Sequence, residues 1–72
     1  MPTAEEIRGL VGRMVAVRLV SEATGVDSVR GRLLGTLDAA DGLVVTIEPA
    51  DTPGKRLTYH YHHILDIMPE EG

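Results

Sequence analysis

The sequence predicts a mostly β fold, a small five-stranded, strongly bent antiparallel barrel preceded by a short α-helix. Alternation of apolar residues predicts five strands, at about residues 14–20, 29–38, 43–48, 56–62 and 64–68. The second strand carries Gly31 and Gly35 on one face, and strands with repeated glycines bend sharply. No helical pattern separates the strands, which excludes parallel βαβ units. Bent antiparallel strands in series close into small barrels.

The N-terminal helix is predicted over about residues 4–12. Thr3 is a good N-cap with Glu6 three residues later, as in a capping box. The apolar residues that follow share one helical stripe: Ile7, Leu10 and Val11. Gly12 marks the C-terminal end. A helix of two to three turns is too short to be stable alone, so we expect it to pack on the sheet.

The first three strands each present an apolar face to the predicted core. The residues expected to point inward are Val15, Val17, Leu19, Val29, Gly31, Leu33, Gly35, Leu37, Leu43, Val45 and Ile47. Residues 21–28 predict a polar hairpin loop between the first two strands. Asp41-Gly42 predicts a tight turn between the second and third.

The C-terminal third predicts a loop and two further strands. Residues 49–55 include two prolines and a glycine, which is typical of a loop. Segment 56–62 places Leu57, Tyr59 and Tyr61 on one strand face, with His60 and His62 opposite. The last strand, 64–68, ends before Pro69.

Length and composition predict a single domain over residues 1–72. A chain this short buries only about 60% of its unfolded surface, so its core is marginal. The chain has no cysteine, which excludes disulfides and thiolate metal sites. Association with other chains is the remaining common way to stabilise a small core.

The sequence has no apolar run long enough to span a bilayer and no recognisable signal peptide, so we expect no membrane association and a cytoplasmic location.

The formal net charge of −4 argues against binding to duplex DNA, which requires a basic surface. Protonation of the three histidines would add three positive charges and raise the net charge to −1.

Arg30 and Arg32 share a strand face, with Arg18 beside them. These three arginines are either a stripe that contacts phosphate groups or a solvated outer face, which the acidic balance favours.

Catalytic chemistry is not indicated. The sequence has no nucleophile–base pair, phosphate-binding loop or dinucleotide motif. Asp38 and Asp41 could form a carboxylate pair for acid–base catalysis, but turn formation explains them more simply. We therefore expect a protein that is not an enzyme and that has no catalytic residues and no cofactor.

The sequence resembles the Sm/LSm (Hfq-like) family of small β-barrels over about residues 3–68. The similarity is carried by Leu10-Val11-Gly12-Arg13-Met14-Val15-Ala16-Val17-Arg18-Leu19, Val29-Arg30-Gly31-Arg32-Leu33, Leu37-Asp38, Leu43-Val44-Val45 and Ile64-Leu65-Asp66-Ile67. Sm-like proteins form rings in which the last strand of one subunit pairs with a strand of its neighbour. The resemblance thus implies a homo-oligomeric ring, with an interface formed by Ile64, Leu65, Ile67 and Met68.

Many Sm-like proteins also bind U-rich single-stranded RNA near the pore of the ring. Their pocket uses an Asp, a flat side chain for base stacking and an Asn in the turn between the second and third strands. Asp38 matches the Asp, whereas Ala40 and Gly42 occupy the other two positions, and His60-Tyr61 replaces the Arg-Gly that precedes the last strand. The resemblance implies a divergent member with a non-standard RNA pocket. Its residues would be Asp38, Asp41, Gly42, His60, Tyr61 and His62.

Two other functions remain open. A ring that has lost RNA binding would be a scaffold for a protein partner, and the acidic charge favours this hypothesis. His60 and His62 could share a Zn²⁺ or Ni²⁺ ion, but two ligands make an incomplete site, so no metal ligands are predicted. The simplest interpretation of residues 59–63 is a polar strand face with two packing tyrosines, and a titratable pore lining is the alternative.

Overall fold

The computed structural model describes residues 2–40 and 42–70. The elements in chain order are α1 (Ala4–Arg8), β1 (Met14–Leu19), α2 (Ser21–Thr24), β2 (Ser28–Ala39), β3 (Gly42–Pro49), β4 (Leu57–His60), a 3₁₀ helix (Tyr61–His63) and β5 (Ile64–Pro69). The mostly β class and the short N-terminal helix are therefore confirmed. No helix within the described ranges is both long enough and apolar enough to cross a membrane.

The five strands form one antiparallel sheet in the order β4-β3-β2-β1-β5. Within residues 2–40 and 42–70, β4 and β5 have a paired neighbour on one side only. The sheet is consequently open, and the predicted closed barrel is not confirmed. Both edge strands leave one row of backbone N–H and C=O groups available for pairing.

The N-terminal helix is shorter than the predicted 4–12. Thr3 is its N-cap, because the Thr3 Oγ1 atom accepts a hydrogen bond from the Glu6 amide at 3.1 Å. Gly9 caps its C-terminus, and the chain continues to residue 12 in turns. Glycine costs about 1 kcal/mol relative to alanine inside a helix, which favours an early end. As expected for a helix that packs on the sheet, Ile7 is fully buried.

Two short helices replace segments that the sequence predicts differently. The predicted polar loop 21–28 contains α2, and Gly25 ends this helix in the left-handed conformation at φ 82°. The predicted strand 56–62 ends at His60, and the 3₁₀ helix follows. His60 and His62 therefore do not share a strand face.

A β-bulge in β2 reverses the direction in which its side chains point. Leu33 pairs with Ile47 and Gly35 pairs with Thr46, which leaves Leu34 as the extra residue. After the bulge, Thr36 lies opposite the buried Val45 and Leu37 lies opposite Val44. Leu37 is 69% exposed, so its predicted inward position is wrong.

The core lies between one face of the sheet and α1. Its buried apolar residues are Ile7, Val15, Val17, Leu19, Leu33, Leu43, Val45, Ile47, Ile64 and Ile67. The inward faces predicted for β1 and β3 are confirmed. No polar or charged side chain of the described residues is buried.

Gly31 allows β2 and β3 to approach closely beside this core. A Cβ atom built on Gly31 would lie 2.1 Å from the Glu48 carbonyl oxygen and 2.9 Å from the Pro49 Cα atom. Both neighbours are backbone atoms, so no side-chain rotation can relieve the overlap. A Cβ atom built on Gly35 would meet no heavy atom within 4 Å. The two glycines thus differ: Gly31 allows the close approach of the strands, whereas Gly35 follows the extra residue of the bulge and has room for a side chain.

We predict that Gly31→Ala lowers the free energy of unfolding by roughly 3 kcal/mol, because the added methyl group overlaps backbone atoms. Gly35→Ala is the matched control and should change it by less than about 1 kcal/mol. Urea denaturation followed by circular dichroism measures both. Equal effects of the two substitutions would contradict the role assigned to Gly31.

Candidate functional site

The strand register brings the β2–β3 turn and the end of β4 to the same end of the sheet. On one side of β3, Asp38 pairs with Leu43. On the other side, His60 pairs with Val44, the next residue of β3. Two inter-strand spacings separate Asp38 from His60, which places their backbones about 10 Å apart. We call this surface, formed by residues 38–40, 42 and 60–63, the turn end of the sheet.

The N-terminal segment covers part of the turn end. Arg8 Nη2 donates a hydrogen bond to Asp38 Oδ1 at 2.9 Å, and the two side chains form an ion pair. The Tyr61 hydroxyl donates to the carbonyl oxygen of Pro2. The Asp38 side chain is nevertheless 81% exposed, so solvent screening limits the ion pair to less than about 1 kcal/mol. Asp38 can still accept further hydrogen bonds.

Three imidazole rings lie together where β4 turns into β5. The ring centroids of His60 and His62 are 5.0 Å apart, those of His62 and His63 are 4.6 Å apart, and those of His60 and His63 are 6.0 Å apart. The rings of His62 and His63 meet edge to face at an interplanar angle of 72°. We call these three residues the histidine corner. The 3₁₀ helix creates it, because an extended strand would separate the His62 and His63 side chains onto opposite faces.

The two tyrosines differ from the histidines in their exposure. Tyr59 and Tyr61 are half-buried and pack against the core, whereas His62 is exposed. Burial raises the pKa of the Tyr59 hydroxyl above its ordinary value of 10.0. His62 therefore offers a more accessible flat ring at the turn end than either tyrosine.

Five of the six residues expected to bind RNA lie at the turn end: Asp38, Gly42, His60, Tyr61 and His62. The sixth, Asp41, is outside the described residues. Gly42 has φ 133°, a conformation that favours glycine, and the turn between β2 and β3 passes through it. Ala39 pairs with Gly42, as expected for a tight hairpin.

The residues expected at a subunit interface divide into two pairs along β5. The side chains of Ile64 and Ile67 are buried in the core of their own chain. Leu65 and Met68 are 46% and 59% exposed. Leu65 is the extra residue of a second bulge, because Arg18 pairs with Asp66 and Leu19 with Ile64. Any side-chain contact made by this edge would therefore involve Leu65 and Met68.

Two arginines of the hypothetical phosphate stripe have partners within the chain. Arg30 forms an ion pair with Glu70, and Arg32 Nη1 donates to the Gly12 carbonyl oxygen at 2.8 Å. Each contact ties β2 to a segment distant in sequence. These contacts favour the interpretation that the two arginines lie on a solvated outer face and hold segments of the chain together.

A metal site at the histidine corner receives no support from its geometry. Among residues 2–40 and 42–70, no group of three or more His, Asp or Glu side chains is arranged to hold a metal ion.

Two residues that contribute to the turn end, Arg8 and His63, are not predicted from the sequence. Arg8 reaches Asp38 from α1, across thirty residues of sequence, and no local pattern indicates that contact. His63 joins the histidine corner only because the 3₁₀ helix brings it there. The three consecutive residues Tyr61-His62-His63 give no strong turn signal, since they contain no Gly, Pro, Asn or Asp.

Comparison of the chain with protein-family models, with curated proteins and with solved structures finds no match. Its function has to be inferred from its own residues.

The buried environment of Tyr59 predicts a loss of stability at high pH. Its pKa is raised in the folded state, so the unfolded chain releases the proton first. The contribution of Tyr59 to the free energy of unfolding should be constant below about pH 9 and should fall as the pH rises through and above 10. Urea denaturation at several pH values measures this fall.

Tyr59→Phe should reduce that fall, because the titrating hydroxyl is removed. The tyrosinate absorbance of the native protein, minus that of Tyr59→Phe, isolates the Tyr59 titration. A Tyr59 midpoint at or below 10 would contradict the effect of burial.

Proposed function

We propose that the chain is a subunit of an Sm-like homo-oligomeric ring that binds single-stranded RNA at the turn end of the sheet, and that the strands close only when successive copies pair edge to edge. It is a binding module and not an enzyme. The observation that carries the proposal is the placement of Asp38 and the histidine corner on either side of β3, at one end of a sheet whose two edges are both unpaired.

The edges of the sheet support assembly. β4 and β5 are different strands at opposite edges, so the β4 edge of one copy can pair with the β5 edge of the next. Leu65 and Met68 are large apolar side chains exposed on β5, and pairing would remove them from water. A core limited by 72 residues gains stability from this burial.

The turn end supports recognition of unpaired bases. The exposed ring of His62 can stack on a base, which is worth about 1–3 kcal/mol per base for aromatic side chains. The Asp38 carboxylate can accept hydrogen bonds from a base edge. In a ring, each copy would repeat both groups, and several weak sites on one strand of RNA would reinforce each other.

Assembly can be tested at the β5 edge. Met68→Lys should shift the protein from an oligomer to a monomer, because a lysine on an edge strand opposes strand pairing. Leu37→Lys is the matched control, since Leu37 is equally exposed but lies on the interior strand β2. Size-exclusion chromatography with light scattering measures the mass of each. A wild-type protein that is monomeric at micromolar concentration would refute the ring.

RNA binding can be tested by fluorescence anisotropy with a labelled oligo-U RNA at low and physiological salt. We expect binding that persists at physiological salt and that His62→Ala weakens about tenfold through lost stacking. Lys55→Gln is the control, because Lys55 is an exposed cation in the loop before β4, away from the turn end. A wild-type protein that binds at neither salt concentration excludes U-rich RNA as the ligand.

An oligomeric scaffold for a protein partner is the second candidate function. The net charge of −4 and the internal partners of Arg30 and Arg32 favour it, because they leave little positive surface for a phosphate backbone. A stable ring that does not bind RNA in the anisotropy experiment would support this alternative.

A further inference from the structure

We propose that the histidine corner is an anion site that binds a phosphate group when its imidazoles are protonated, so that RNA affinity rises as the pH falls. This inference rests on the proposed function for the identity of the ligand, an RNA phosphodiester. Its basis is the grouping of all three histidines of the chain at one corner of the sheet, where His62 is exposed and His60 and His63 are half-buried.

The spacing of the rings suits a single tetrahedral oxyanion. Centroids 4.6–6.0 Å apart place the three rings beside one another. Each imidazolium carries two N–H donors, and of these the His60 Nδ1 donor is buried. Hydrogen bonds from a charged donor to a phosphate oxygen are about twice as strong as neutral ones. One phosphate group can therefore accept from more than one ring of the corner.

The anion also removes a repulsion that proton uptake creates. Positive charges within 6.0 Å of one another repel. A bound phosphate offsets that repulsion. Proton uptake and phosphate binding consequently promote each other, and histidine is the side chain that ordinarily titrates between about pH 5 and 8.

The carboxylates on the surrounding elements do not take the place that we assign to the phosphate group at the histidine corner. β3 packs against the 3₁₀ helix and has no ionisable side chain from residue 42 to 47. On the neighbouring segments, Asp38 is paired with Arg8, and Asp66 Oδ1 accepts from the Ile67 amide. Both carboxylates thus already have a partner other than the histidine corner.

The remaining charged groups nearby lie on the helices and on β1. The His63 carbonyl oxygen accepts from the Val20 amide, which brings α2 and its exposed Glu22 to this side of the sheet. On α1, Thr3 donates to the Glu6 carboxylate, and Glu5 is exposed. Arg18 on β1 lies opposite Asp66. A change in RNA affinity between pH 6 and pH 8 that the histidine substitutions abolish is therefore assigned to the histidines and not to these groups.

The first test measures binding of a labelled octauridylate by fluorescence anisotropy at pH 6 and pH 8, with EDTA present to exclude bridging by metals. Uracil and the phosphodiester keep their charge over this range. We expect affinity about tenfold higher at pH 6. The double variant His62→Gln/His63→Gln should show less than a twofold change, and Lys55→Gln should retain the tenfold change.

The second test follows the histidine ring resonances by NMR during addition of inorganic sulfate, a tetrahedral dianion at both pH values. Saturable shifts of the His62 and His63 rings at pH 6, and their absence at pH 8, are expected. Wild-type RNA affinity that is equal at the two pH values overturns the inference while leaving RNA binding intact.

If sulfate binds and RNA does not, the proposed RNA-binding function is wrong, and the histidine corner is a site for free oxyanions instead. The absence of both sulfate shifts and RNA binding would overturn the inference together with the proposed function. Circular dichroism at both pH values confirms that each variant is folded.

Discussion

The one-residue bulge at Leu34 determines which side of the sheet each later residue of β2 occupies. Before it, Leu33 packs into the core, and after it, Leu37 points to solvent opposite Val44. Because side chains alternate along a strand, one extra residue exchanges the two faces. The position of Asp38 relative to Arg8 and β3 depends on this exchange, and so does the surface of the turn end.

Local alternation was sufficient to predict the strands that have no irregularity. In β3, Leu43, Val45 and Ile47 follow the expected pattern because nothing interrupts the two-residue period. In β2 the apolar alternation continues through Leu33 and Leu37, but the backbone inserts an extra residue between them. Gly35 indicated a bend in this strand, but not that one residue would be inserted before it. In residues 21–25, glycine after a polar segment indicated a loop, yet it is also the usual residue that ends a helix.

The candidate site was predicted in composition but not in arrangement. Asp38 was identified from the resemblance to Sm-like proteins, and His60 and His62 were identified from that resemblance and from the Tyr-His stretch at residues 59–63. Their proximity depends on the register of two ladders on either side of β3, which is a property of the whole sheet. The 3₁₀ helix at residues 61–63 could not be foreseen, since Tyr-His alternation imitates an extended strand.

The two edges of the sheet are formed by different strands, β4 and β5, and this affects how an assembly of copies would grow. If β4 of one chain joins β5 of the next, every added copy leaves the same two edges open, so addition stops only when the last copy meets the first. The curvature of the monomer then determines how many copies close the circle. A substitution that straightens β2 would convert a finite assembly into a filament without altering a single contact residue.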